Sequence, residues 1–395
     1  MSEVRVNNLS NESLSGGPTI SGITTFSSPY FFVPPQGDTA SRPQSCPPGS
    51  LRFNTDTAKL EYYREDTIGW VEIEASNEEL GGGTGSNTGL GVRGFIMGGN
   101  GSPDSTREEI EFITVSTLGN SQDFGQLTQG SQAGFGGLGN RTHAFYAGGS
   151  QIPAGLNVIQ KITVASTGNA VDYGDITAGN RASGGGASNQ IRSMLGGGNL
   201  GSPATNVIEY FSTIQSGNSV DFGDLSGAAE GVEGSVNSST RGLFYGIGSY
   251  GNNTIEFITM STTGNSSDFG DLTQGVASGA GGGNSTRGII GGGYTPETSP
   301  ATRVNTIQFV TIATTGNAQD FGDLTQNRSG MNAMSSPTRT VFAGGAVYPV
   351  FYNVMDKIEI ATTGNAIDFG DIAGSGSTTG AIFNSNAVSN GHGGL

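Results

Sequence analysis

The chain has 395 residues, 69 of them Gly and only 13% charged. This excludes a helical protein, because Gly, Ser, Thr and Asn stand where helices want Ala, Leu, Glu and Lys, and it excludes a highly charged disordered chain. A formal charge of −16 with scattered Lys and Arg argues against nucleic acid as a partner, and one Cys with two His leaves no internal disulfide and no Cys/His zinc cluster.

The sequence opens without the basic start and apolar run of a signal peptide. Nowhere do about 18 apolar residues follow one another, so synthesis in a cytoplasm and no membrane insertion are expected. Residues 1–80 differ in composition from the rest. Residues 1–35 show little helical period and read as extended chain ordered by a partner or by sister chains. From Gly49, GSLRFNTDTAKLEYYREDTIGWVEIEAS alternates into strands around an Asn-Thr-Asp turn. This wording, with SRPQSCPPGS before it, resembles modules near the ends of bacteriophage fibre and other virion structural proteins, as in marine T4-like phages. The resemblance covers residues 49–76 and its lead-in. It implies a β segment that attaches the chain to other virion proteins, a location in the virion after assembly in the host cytoplasm, and a homotrimer as in trimeric fibres, which internal repeats do not require. Residues 81–91, GGGTGSNTGLG, read as a flexible linker.

Residues 92–395 repeat. The marker G-N-x-x-D-[FY]-G-[DQ] begins at Gly119, Gly168, Gly217, Gly264, Gly316 and Gly364. Nine residues before each of these glycines starts a β-branched and aromatic stretch: IEFITV, IQKITV, IEYFST, IEFITM, IQFVTI and MDKIEI. Apolar residues on both faces predict a strand covered on both sides. Upstream again lies a short apolar run ending in glycines, such as RGFIMGG from Arg93 or RTVFAGG from Arg339, and before it a stretch of small residues such as GGGASN from Gly184. Each unit therefore predicts four strands. The small-residue strand is placed at the crowded centre, and the Gly-Asn pair is read as a two-residue turn joining strands three and four. The first unit lacks a small-residue strand, and Thr379–Phe383 after the last marker supplies one. The expectation is an all-β, six-bladed β-propeller of four-stranded blades, closed by its C-terminal strand and preceded by a small N-terminal β segment. The glycine doublet after an apolar second strand resembles kelch-type propellers, over roughly residues 91–395. The one Trp of the chain, however, lies outside the repeats.

No catalytic residues, metal ligands or cofactor are expected. With only two His, neither in a matching motif, and one Cys, the inventory argues against nucleophilic triads and metal hydrolase sites. Asp172 with Asp175, or Asp221 with Asp224, have a spacing possible for calcium, but lack the further acidic positions of known loops and read as turn residues. Glu111, Gln160, Glu209, Glu256, Gln308 and Asp356 share one position in every unit and read as architecture, hydrogen-bonding neighbouring backbone. Arg93, Arg192, Arg241, Arg287 and Arg339 read as architecture in the same way. Variation concentrates in the connections between strands two and three, which leave one face. Their aromatic residues Tyr250, Tyr294, Tyr348, Phe351 and Tyr352 are the candidate binding residues for a host-surface polysaccharide or protein. The leading functional expectation is a phage tail fibre or related appendage used in adhesion. The alternatives are a carbohydrate-acting propeller enzyme, or a capsid or neck decoration protein without a receptor role.

Overall fold

The computed structural model describes residues 34–57, 59–73, 92–101, 106–151, 154–199, 204–229, 236–248, 251–296, 302–374 and 380–395. The extended segment read over most of residues 1–35 and the linker read at 81–91 lie outside them. The chain divides into two compact units, Met1–Asn77 and Glu78–Leu395. Among the described residues every regular element is a β-strand, and no helix is long and apolar enough to cross a membrane.

In the first unit, Leu51–Asn54, Lys59–Glu65 and Gly69–Glu72 form an antiparallel meander, and Gln36–Gly37 adds a parallel edge. So small a sheet buries little apolar surface and leans on specific contacts. The residues of the sequence motif supply several of them. The Arg52 guanidinium lies 5.6 Å from the Trp70 ring centre and donates to the Asp38 carbonyl. The Trp70 indole donates to the Pro43 carbonyl at 2.9 Å, and its ring meets Tyr63 edge-on. Buried Asn54 accepts the Asp56 N–H through its side chain at 2.9 Å and donates to Glu61, which also pairs with Arg42.

Among the described residues, the second unit holds five four-stranded antiparallel sheets and one of three strands, together with two short hairpins. The third repeat shows the pattern: Gly185–Ser188, Arg192–Gly196, Val207–Ser212 and Val220–Asp224, hydrogen-bonded in that order. In the second repeat the small-residue strand is reduced to two bridges, Phe135 with Ala147 and Gly139 with Ala144. This is a propeller-like arrangement.

The strand that completes the first sheet is Asn386–Ser389, antiparallel to Arg93–Met97. This corrects the expected Thr379–Phe383. Thr379 is outside the described residues, and Phe383 makes only an isolated bridge with Asn100. The register is set by a turn amide. Asn390 Oδ1 accepts the Arg93 N–H at 2.7 Å, as Asn189 Oδ1 accepts the Arg192 N–H at 2.9 Å.

The D-[FY]-G motif is a β-bulge. Ile159 pairs with Gly174 and Gln160 with Asp172, so Tyr173 is an extra residue, and all six sheets slip register at the same place. A bulge increases twist and re-aims a side chain. Here it turns the aromatic ring inward, so that Phe124, Tyr173, Phe222, Phe269, Phe321 and Phe369 are all buried. Asp172 and its equivalents stay exposed on the outer strand, so the turn role read for them is not what they do.

The Gly-Asn pair is not a two-residue turn either. The third strand of the third repeat ends at Ser212 and the outer one starts at Val220. Gly217 and Asn218 instead reach the outer strand of the repeat before: Gly217 donates to the Tyr173 carbonyl at 3.0 Å, and Asn218 Oδ1 accepts the Asp175 N–H at 3.0 Å. The Gly bond recurs from Gly168 to Phe124, Gly264 to Phe222, Gly316 to Phe269 and Gly364 to Phe321, and from Gly119 of the first repeat to Phe369 of the sixth. An exposed edge strand carries unpaired backbone groups, and a neighbouring chain segment satisfies them here. The approach is so close that a Cβ on Gly174 (φ +158°) would collide with the Gly217 carbonyl.

The core lies between sheets. One cluster joins Phe95, Ile110 and Phe124 of the first repeat to Tyr146 and Ile162 of the second. Each of the other clusters draws on two consecutive repeats, and one joins Met334, Val341 and Phe369 of the sixth to Ile96 and Val115 of the first.

Gly174→Ala is expected to lower stability by about 2 kcal/mol in urea denaturation, because strain at a special backbone position adds to the clash. Gly179→Ala, with open space around its Cβ position but φ +100°, should cost less.

Candidate binding surface

The residues shared by all repeats are occupied in holding neighbouring sheets together. Gln160 Oε1 accepts the Thr128 N–H at 2.6 Å, Gln308 Oε1 accepts that of Thr273 at 2.6 Å, and Asp356 accepts that of Thr325 at 3.2 Å. Glu209 and Glu256 accept the N–H groups of Thr177 and Ser226 in the same way. Each acceptor belongs to one repeat and its donor to the repeat before. Glu111 accepts from the Ser121 hydroxyl, whose oxygen accepts the Ala373 N–H from the sixth repeat at 2.8 Å. Burial raises the Glu111 pKa above the usual carboxylate value, against the Ser121 hydrogen bond, which lowers it.

The arginines join the same scheme from the opposite side. Arg192 Nη1 donates to the Met260 carbonyl at 3.1 Å, Arg241 to Ile312 at 2.9 Å and Arg287 to Ile360 at 2.8 Å. Arg93 reaches Val164 at 2.7 Å, and Arg339 of the sixth repeat reaches Val115 of the first at 3.0 Å. Four of these guanidiniums also lie over an aromatic ring of the adjacent third strand, at 4.7 or 4.8 Å.

The second repeat departs from this pattern. His143 stands in the arginine's place, and its pKa is lowered by burial and by Lys161. The aromatic of the bulge is Tyr173 rather than Phe, and its hydroxyl donates to the Ser212 carbonyl of the third repeat at 3.0 Å. Lys161 lies over the Tyr173 ring at 5.2 Å. The inter-sheet hydrogen bond lost with the arginine is thus recovered from the tyrosine.

Two buried arginines escape a reading based on repeats, because they occur in only two of them. Arg181 pairs with Glu209 and donates to the carbonyls of Gly197 and Val207 at 2.9 Å. Arg328 pairs with Asp356 at 2.8 Å, and neither side chain of that pair has any exposed area. Desolvation lowers the pKa of both arginines.

The candidate binding residues fall in different settings. Tyr250 lies outside the described residues. Tyr294 is half-buried in the strand Arg287–Thr295, with the Arg303 guanidinium 5.0 Å from its ring centre. Phe351 packs edge-on against Phe383 at 6.0 Å, and the Tyr352 backbone bonds Gly345 and Ile382. Tyr348 is 75% exposed, between the strands Ala346–Val347 and Val350–Phe351, and Val350 beside it is 53% exposed. The hairpin therefore splits into a packed base, Phe351 with Tyr352, and an apolar tip, Tyr348 with Val350. Val350 was not singled out from the sequence, because an aliphatic residue in a short loop carries no signal of exposure. Among the described residues, no three of His, Cys, Asp and Glu come together as a metal site would require. No protein-family model and no curated protein matches the chain.

Arg328→Ala is expected to destabilise the protein by about 3–5 kcal/mol in urea denaturation, because it leaves the Asp356 carboxylate buried and unpaired. Arg328→Met combined with Asp356→Leu should recover most of that loss.

Proposed function

We propose that the second unit is a closed six-bladed β-propeller with kelch-like repeats, and that the protein is a non-enzymatic virion component, a tail fibre or related appendage. In this reading the propeller displays its second-to-third-strand connections to a partner, either a host-surface polysaccharide or protein or another virion protein. The observation that carries the display role is the division between repeated and unrepeated positions. Repeated polar groups are bound to neighbouring backbone, whereas Tyr348 and Val350 project from a connection whose sequence differs from those of the other repeats. An exposed aromatic beside an aliphatic residue suits the apolar face of a sugar ring or a protein anchor.

Closure is supported by the bonds from the sixth repeat to the first. Gly119 donates to Phe369, Arg339 to Val115, and Asn386–Ser389 pairs with Arg93–Met97. Attachment to a particle is supported by the first unit, whose Arg52, Asn54, Asp56 and Trp70 belong to the motif that resembles virion modules.

Mass spectrometry of purified particles from the phage that encodes the chain should detect it as a stoichiometric component; its absence would contradict the proposal. On a glycan array, Tyr348→Ala should lose on the order of tenfold or more of the signal of the parent protein at an unchanged melting temperature, since exposed side chains contribute little to stability.

A further inference from the structure

The segment after the closing strand, Asn390–Leu395, runs across the ends of the inner strands of other repeats. Its His392, Gly393 and Gly394 are buried. His392 Nε2 contacts the Gly139 carbonyl of the second repeat at 3.1 Å, and Nδ1 accepts the Gly394 N–H at 3.2 Å and meets Asn237 Nδ2 of the fourth repeat at 3.3 Å. These contacts define a neutral imidazole with its proton on Nε2. The two glycines sit where no side chain fits: a Cβ on Gly393 would collide with the Asn237 carbonyl, and one on Gly394 with the Ser188 carbonyl of the third repeat.

We propose that the inner-strand ends of the second to fifth repeats form a peptide-binding site for a small-residue segment carrying a neutral histidine, filled here by the chain's own residues 390–395 and emptied by acid. Recognition is by backbone contact and shape, which explains a Gly-His-Gly-Gly ligand: the imidazole supplies one donor and one acceptor, and glycines allow the approach. The site lies away from the display surface and does not depend on what that surface binds.

The groups facing the imidazole are uncharged: the Gly139 carbonyl, the Asn237 amide and the segment's own Gly394 N–H. The arginines on flanking segments, Arg93 and Arg141, meet Asn390 through their backbones. Burial lowers the His392 pKa to about 4, against the Gly139 hydrogen bond, which raises it. A bound pKa below the free value of about 6.5 means that the neutral form is the one held. The contribution is fully present above pH 6.5 or so and is lost as pH falls from there towards about 4.

The test uses the chain shortened to end at Ser389 and a fluorescent peptide of residues 390–395, Asn-Gly-His-Gly-Gly-Leu. The shortened chain should bind the peptide at pH 7.5, about thirtyfold more weakly at pH 5, and a peptide with Ala for His392 at least about tenfold more weakly. The uncut chain, its site filled, should not bind. A folded shortened chain that ignores the peptide, an Ala peptide that binds equally, or an uncut chain that binds as well would each overturn the proposal. Should the shortened chain not fold, the His392 ring resonances of the intact protein decide: titration near pH 4 supports the site, and titration near 6.5 overturns it.

Discussion

The contact on which the rest of the second unit depends is the bond from each Gly-Asn pair to the outer strand of the preceding repeat. Without it, every sheet would present an edge of unpaired N–H and C=O groups, and each aromatic of the bulge would face an open gap. Docking the Gly N–H on the carbonyl of the bulged residue, and the Asn side chain on the N–H two residues later, satisfies the edge and fixes the distance between sheets. That distance sets the space filled by the rings and by the aliphatic residues of the next sheet, where the core clusters lie. It also explains the glycine of D-[FY]-G, which must let a neighbouring carbonyl approach. A chain with no disulfide and few charged residues is thus held by repeated backbone hydrogen bonds and interleaved apolar layers.

Repetition permits exchange of parts provided the inter-sheet bonds are kept. Where His143 replaces an arginine, Tyr173 replaces a phenylalanine and bonds the next repeat. Where Arg181 and Arg328 enter the interior, an acidic residue at the shared acceptor position pairs with each. A buried guanidinium left unpaired would be costly, so each of these arginines requires its acidic partner.

Much of this was legible in the sequence. The spacing of the markers and the β-branched third strand are local signals, and they identify the repeat and its four strands. That Glu209 and its equivalents hydrogen-bond neighbouring backbone also follows from their identical positions. What was misread involves partners outside the repeat in which a residue sits. Gly217-Asn218 has the composition of a tight turn, yet its partners are forty-odd positions earlier, at Tyr173 and Asp175. The aspartates of the marker look like turn residues for the same reason, and lie on an exposed strand. The closing strand was placed too early because Ala381-Ile382-Phe383 is more apolar than Asn386–Ser389. The better signal was polar: an Asn or Ser just after the inner strand, seen at Asn189, Ser238 and Ser336 and again at Asn390. For the candidate binding residues, composition points to aromatic loops but does not separate the packed Phe351 from the exposed Tyr348. His392 owes its setting to Gly139 and Asn237, which belong to the second and fourth repeats and are distant from it in sequence.

The proposed closure of the six repeats rests on one repeated bond. Native-state hydrogen exchange of the amides of Gly119, Gly168, Gly217, Gly264, Gly316 and Gly364 tests it directly. Closure predicts that Gly119, whose acceptor Phe369 belongs to the sixth repeat, is protected to within about tenfold of the other five. Fast exchange at Gly119 alongside slow exchange at the others would show an open series of sheets and contradict the account.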